Sequence, residues 1–180
     1  MKYAVASRDR VLRYLLVISI LGFTHWFFGN LYEQIVLAPN LLGLGVEGLQ
    51  LWRQFFQFSD PRYYFLPLNP IAILVTFAAL AISWRSHSKQ RKWLMGAASF
   101  ALVTGLLTVY IVTQINLKLY FGPLSDDISW LQSTQQLSAT LGKLRLVSEL
   151  ITLYCALRAY LLMLRDRNNI AYKKTTDPMY

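Results

Sequence analysis

The sequence predicts an all-α integral membrane protein: a four-helix transmembrane bundle with both termini cytoplasmic and an interfacial aromatic segment after the first helix. Three observations predict it. Hydrophobic residues make up 55% of the 180 residues and charged ones only 15%, a balance too apolar for a typical soluble domain. Apolar runs near 20 residues recur, the length a helix needs to cross the hydrocarbon core; barrel strands would alternate over roughly 10 residues instead. Lys and Arg gather at the ends of these runs, which explains the net charge of +9 by topology rather than by nucleic-acid binding.

The chain reads as one transmembrane domain over 1–180. A basic leader (Lys2, Arg8, Arg10, Arg13) precedes helix 1, expected over about 14–38 and stopped by Pro39-Asn40. The leader and apolar run imitate a signal peptide, but the run is too long for an h-region and no A-x-A site follows, so it is read as a retained helix. The connection 40–66 is loosened at Gly43, Gly45 and Gly48 and then mixes Leu, Trp and Phe with Arg53 and Gln; a surface helix at about 45–60 and an ordinary packed loop both fit it. Helix 2 is expected over 69–84, with Asn69 as N-cap and Pro70 at the first helical position, and the segment 63–68 could extend it. A basic turn (Arg85, Lys89, Arg91, Lys92) leads to helix 3, about 93–117, which Gly122-Pro123 breaks. Helix 4 is expected over 136–164, with a frayed polar tail over 165–180.

Leader, basic turn and tail (Arg165, Arg167, Lys173, Lys174) outweigh the first long loop, which has only Arg53 and Arg62. The positive-inside rule then places both termini in the cytoplasm, and loop 40–66 and the Ser125-Asp126-Asp127 turn outside. The implied location is a multi-pass protein of the plasma (inner) membrane of a bacterium.

Within helix 1, the stretch from Phe28 to Asn40 carries Asn30, Tyr32, Glu33 and Gln34. A carboxylate at the centre of a membrane helix costs about 2.5–3.5 kcal/mol even on lenient scales, so it faces a partner or a watery cavity. Glu33 lies six residues before Pro39, roughly 9 Å below the outer end of its helix. Asn69 on helix 2, Thr113, Gln114, Asn116 and Lys118 on helix 3, and Lys143, Arg145 and Glu149 on helix 4 fall in the same outer half, while the inner half is more uniformly apolar. Trp26, Asn30 and Glu33 share one face, as do Arg145 and Glu149. Arg145 is the expected charge partner of Glu33, with Glu149 beside it. Two readings of this cluster stand: packing glue between helices 1 and 4, or an outward-opening polar pocket.

Other residues carry less. His25 lacks a second intramembrane histidine, since His87 falls in the basic turn, so neither a bis-histidine haem nor a metal site is expected, and His25 reads as a satisfied or interfacial side chain. Cys155 reads as a buried thiol. Arg158 sits on the far side of helix 4 from Glu149 and can snorkel inward. Ala97, Ala101, Gly105 and Thr108 form a stripe that favours close helix packing. No phosphate loop, nucleophile elbow, paired cysteine or haem-attachment motif is present, and no motif names a cofactor.

The stretches GNLYEQIVLAPN, TQINLKLYFGP and GKLRLVSELITLYCALRAYLLM resemble the anthrone-oxygenase-like family of small four-helix membrane proteins. The matching features are Pro39 at the outer end of helix 1, Asn116 closing helix 3, and Arg145 early in helix 4. The resemblance implies a four-helix bundle and, for some fungal members, oxidation of polycyclic phenolic substrates without a recognisable cofactor.

The expected function is therefore an outward-facing polar pocket that receives an apolar, amphiphilic or phenolic small molecule. Glu33 would accept a proton or orient the ligand, with Arg145 as its charge partner, and these are the candidate catalytic residues of an oxygenase- or oxidoreductase-like reaction. Asn30, Asn69 and Asn116 would bond the ligand, Trp26 and Glu149 would line the site, and Lys118 or Lys143 would stand at the rim. Two alternatives differ in class. In one, the chain is a non-catalytic accessory subunit whose aromatic loop and small-residue stripe contact a partner or a second copy. In the other, it is a small transporter or proton relay through Glu33 and Glu149. Membrane lipid is a partner in every case.

Overall fold

A computed structural model describes residues 2–84, 88–122 and 128–176, with side chains placed over 7–40, 45–84, 88–122 and 129–166. The described residues are helical almost throughout: α1 (Lys2–Tyr32), a π-helical turn (Glu33–Leu37), α2 (Ala38–Phe55), α3 (Pro61–Phe65), α4 (Leu68–Ser83), α5 (Ser88–Tyr110), a π-helical segment (Ile111–Phe121) and α6 (Ile128–Thr176). Among the described residues, four stretches are long and apolar enough to cross a membrane: Ser7–Asn40, Pro61–Ser83, Ser88–Phe121 and Ser129–Asp166. Their outer faces are uncovered and apolar, with Ile18, Leu21, Leu74, Leu106, Leu150 and Tyr154 all exposed. An apolar surface of that extent suits lipid rather than water.

Several boundaries differ from the sequence expectation, each for a local reason. The leader is not separate: α1 already begins at Lys2, because no Gly or Pro interrupts it, and the Arg8 guanidinium donates to the Ile82 carbonyl near the end of α4. Pro39-Asn40 does not stop the helix. The preceding π turn, closed by the Ala38 N–H on the Glu33 carbonyl, absorbs the missing proline donor, and the Asn40 side chain donates to the Val36 carbonyl at 2.7 Å. The chain turns instead at Gly45, whose φ of 56° and ψ of −127° suit glycine alone. Beyond it, the second half of α2 is both packed and exposed: Leu49 is buried with Ile115, Leu119 and Leu131, while Phe55, and Phe58 in the turn that follows, project outward.

Asn69-Pro70 does not cap the second span. Asn69 lies within α4, and the cap is Asp60, which accepts from the Arg62 N–H at 2.8 Å with Pro61 in the first helical turn. Hydrogen bonding from the Arg62 side chain also holds the Asp60 carboxyl below its ordinary range. α5 starts at Ser88 rather than 93, its helical run passes 117 to Phe121, and Gly122 turns extended. α6 starts at Ile128 rather than 136, and instead of fraying at 165 it continues to Thr176, no Gly or Pro intervening beyond Gly142. Arg85, His87, Pro123, the Ser125-Asp126-Asp127 turn and residues 177–180 lie outside the described residues, as do the side chains of Lys2, Arg167, Lys173 and Lys174.

The spans form a ring in which α1 touches α4 and α6, and α5 completes it between them. Neighbours run antiparallel. Gly22 sits so close to α4 that a Cβ on it would come within 2.6 Å of the Ala72 Cβ. Ser19 bonds Thr76 at 2.6 Å, Thr104 donates to Ser148 at 2.9 Å, and Gln90 donates to Asp166 at 2.7 Å. Polar links thus run the length of the bundle, and the inner half is less uniformly apolar than expected. Ala97 and Ala101 are fully buried and Gly105 faces Ile73, so the small-residue stripe packs within the bundle itself.

Candidate functional site

The polar cluster forms where α1 meets α6. Asn30 and Glu33 are three residues apart at the top of α1; Arg145 and Glu149 are four apart on α6. Each pair presents one helical face. The antiparallel register then sets Asn30 against Glu149 and Glu33 against Arg145. Asn30 Nδ2 donates to Glu149 Oε1 at 2.5 Å, and Arg145 Nη2 donates to Glu33 Oε2 at 3.2 Å. Arg145 Nε lies 3.8 Å from Glu149 Oε1, an ion pair without a hydrogen bond. Asn30 and Glu149 are wholly buried, Arg145 nearly so, and the Glu33 side chain keeps 25% exposure.

Glu33 opens the π turn, and π turns inside α-helices recur at functional sites. Just above it, Gln34 lies against Gly142, where a Cβ would come within 2.3 Å of the Gln34 amide nitrogen. Glu33 and Gln34 line a crevice of about 20 Å³ together with Trp52, Tyr120, Gln135 and Ser138, room for about one water. α2 forms its roof. Trp52 stacks on Tyr120 with ring centroids 5.4 Å apart, and Arg53 caps the end of the π-helical segment through the carbonyls of Leu119 (3.1 Å) and Gly122 (2.9 Å).

The cluster is incompletely satisfied. Asn30 Oδ1, Glu149 Oε2 and Arg145 Nε are buried without a hydrogen-bond partner, as are Asn69 Oδ1, Thr108 Oγ1 and Gln135 Nε2. Such groups are rare in settled interiors and each costs about 1–3 kcal/mol.

Of the residues predicted for the site, Asn30, Glu33, Arg145 and Glu149 come together. Asn69 is buried about one turn lower, between Phe65, which abuts Gly29, and Ala72, which abuts Gly22. Trp26 is buried beneath Asn30 in an apolar layer with Phe23, Ala72 and Ala101, as core rather than as a cavity wall. Asn116 and Lys118 do not line the crevice, and Lys118 is exposed with its ammonium on Gln114 Oε1 at 3.3 Å. They lie on the π-helical segment, whose wider turn carries side chains away from the faces a 3.6-residue period assigns. Asn116 does not close its helix, which runs on to Phe121; Pro39 lies within continuous helix near the outer end of the first span, and Arg145 stands well inside α6 rather than early in it. Lys143 is exposed. His25 stacks on Tyr64 at 4.0 Å, with Nε2 3.3 Å from the Tyr64 carbonyl. Arg158 stands over the Trp93 ring, 5.3 Å from its centroid. Among the described residues no group of His, Cys, Asp and Glu gathers to hold a metal.

Gln135, Ser138, Trp52 and Tyr120 line the crevice although the sequence does not mark them for the site, and Gln34, noted only as a polar residue of helix 1, lines it too. Gln135 falls one residue before the expected start of helix 4 and is reached by extending that helix back, whereas Ser138 lies inside it and carries no signal that sets it apart from other helix-face serines. Compared with models of protein families, with curated proteins and with solved structures, the chain matches none.

Proposed function

We propose that this chain is a multi-pass protein of a bacterial inner membrane whose outer-half cluster binds the polar head of an apolar or amphiphilic small molecule. The observation that carries this reading is the unfinished state of the cluster: Asn30, Arg145 and Glu149 are buried, yet each leaves a polar atom without a partner. A network that served only to lock α1 to α6 would gain most by closing its bonds, because half-satisfied buried networks are worse than apolar packing. Unmade bonds beside a crevice are what a ligand head group or ordered water would complete. The crevice as described is water-sized, so a larger molecule enters by displacing α2, whose bend at Gly45 supplies the hinge.

Glu33 is the partly exposed acid and faces the incoming molecule; Arg145 pairs with it and orients it. Oxygenase-like chemistry on a phenolic ligand, which the family resemblance implies, would use Glu33 as the base. Both termini on the cytoplasmic side put this cluster toward the outside.

The test is native mass spectrometry of the purified protein beside thermal unfolding in detergent. A Glu33→Gln variant that folds with the wild-type melting temperature but loses a co-purifying small molecule supports the site. If nothing co-purifies with wild type, and Glu33→Gln only lowers the melting temperature, the cluster is packing glue and the proposal fails.

A further inference from the structure

Two of the unpartnered atoms belong to one contact. Asn30 gives its Nδ2 to Glu149 Oε1, which fixes how the amide is turned, and the atoms left over are Asn30 Oδ1 and Glu149 Oε2. If Glu149 were ionised, both would be acceptors without a donor in a fully buried place. A single proton removes both defects. A carboxylic acid paired with a primary amide makes two bonds: amide N–H to acid carbonyl, and acid O–H to amide oxygen. The first is present, and the second would join the two orphaned atoms through a proton.

The charges nearby agree. Two carboxylates share one guanidinium, and Arg145 makes its hydrogen bond to Glu33, not to Glu149. No other element brings a compensating cation: the sequence has no charged residue from Leu68 to Ser83 or from Trp93 to Leu117. From the outer side, Arg53 of α2 is spent on the carbonyls of Leu119 and Gly122. His25, on α1, is engaged with Tyr64. α5 meets α6 here through hydroxyls, Thr104 on Ser148. An ionised Glu149 would leave a net buried negative charge, which is strongly unfavourable.

We infer that Glu149 is a built proton-binding site, a neutral acid whose Oε2–H donates to Asn30 Oδ1, standing beside an ionised Glu33–Arg145 pair. The inference deepens the reading of the cluster as a site, since it names the proton as one of its ligands. It also divides the labour between the acids. Glu149 stores the proton, and Glu33 connects it to the crevice. The transfer balances: when the proton leaves Glu149 Oε2 for the Glu33 carboxylate, Glu149 becomes the anion and Arg145, already within ion-pair distance of both, exchanges one partner for the other. A molecule bound at the crevice would meet a protonated or an ionised Glu33 according to where that proton sits.

Isotope-edited infrared spectroscopy tests this directly on the full chain in lipid nanodiscs. Glutamate labelled with ¹³C at the side-chain carboxyl reports on Glu33, Glu47 and Glu149, the chain's three glutamates. At neutral pH the expected result is one labelled band in the protonated-carboxyl region, retained in E47Q and lost in E149Q. Carboxylate bands alone, or an acid band that survives E149Q, would overturn it; an ionised Glu149 bridged to Asn30 by water gives the first pattern. Should E149Q fail to fold, E149D decides, because it keeps a carboxyl at that place but removes its glutamate label: loss of the labelled acid band supports the inference and its retention ends it. The outcome is separable from ligand binding. An acid band without a co-purifying molecule leaves the proton site and removes the binding reading, and a retained molecule with all three glutamates ionised does the reverse.

Discussion

Arg145 is the residue on which the cluster turns. It spends one hydrogen bond on Glu33 and stands at 3.8 Å from Glu149. Removing one partner of a buried ion pair costs about 3–5 kcal/mol, because the other charge is left unpaired. If Glu149 is neutral, only Glu33 is stranded when the guanidinium goes. Arg145→Met is therefore expected to lower thermal stability by about that amount, and adding Glu33→Gln is expected to recover most of it. A double-mutant cycle on melting in detergent reads the coupling. A loss that E33Q leaves unchanged would place the missing interaction at Glu149 instead. Asn30 is the residue the sequence understated: an Asn on a helix face beside an acid looks like a ligand donor, and only its contact partner shows that it is the amide half of a pair with Glu149.

At the scale of elements, two features shape the site. The π turn at Glu33–Leu37 lets α1 run through Pro39 and sets the phase at which Glu33 and Gln34 meet α6. The second π-helical segment carries Asn116 and Lys118 away from the cluster and supplies Tyr120 to the crevice. Neither was legible, because a helical wheel assumes one period throughout. The close crossing of α1 and α4 rests on Gly22, whose counterpart is Ala72. A methyl added at Gly22 meets the Ala72 methyl and backbone, and overpacking of this kind costs about 1–3 kcal/mol. Gly22→Ala is expected to lower the melting temperature, and the swap Gly22→Ala with Ala72→Gly to restore it; failure of the swap would mean that the crossing tolerates the bulk elsewhere.

For the whole molecule, the charge pattern makes a claim about sidedness that solvent access can check. The chain has one cysteine, Cys155, buried at the α5–α6 contact. In a Cys155→Ser background, a cysteine at Ser59 is expected to react with a membrane-impermeant thiol reagent on intact cells, and one at Lys89 only after lysis. The opposite labelling would reverse the orientation and put the crevice on the cytoplasmic side.

By itself the sequence determined that the chain is helical and has four apolar spans. Apolar length and the absence of breakers act within one segment, so they can be read without knowing the neighbours. It also isolated Glu33 and named Arg145 as its partner, because a carboxylate in an apolar run demands a counter-charge and few are available. Only the tertiary structure decided which polar side chains meet: that Asn30 belongs to Glu149, that Trp26 is core, that Asn116 and Lys118 stand apart, and that Gln34, Gln135 and Tyr120 complete the crevice with Glu33. The reason is physical. Contacts between helices depend on their axial register and rotational phase. Close approach at Gly22 and a change of helical period at two π-helical segments set these, and neither the register nor the change of period is encoded in any one residue type.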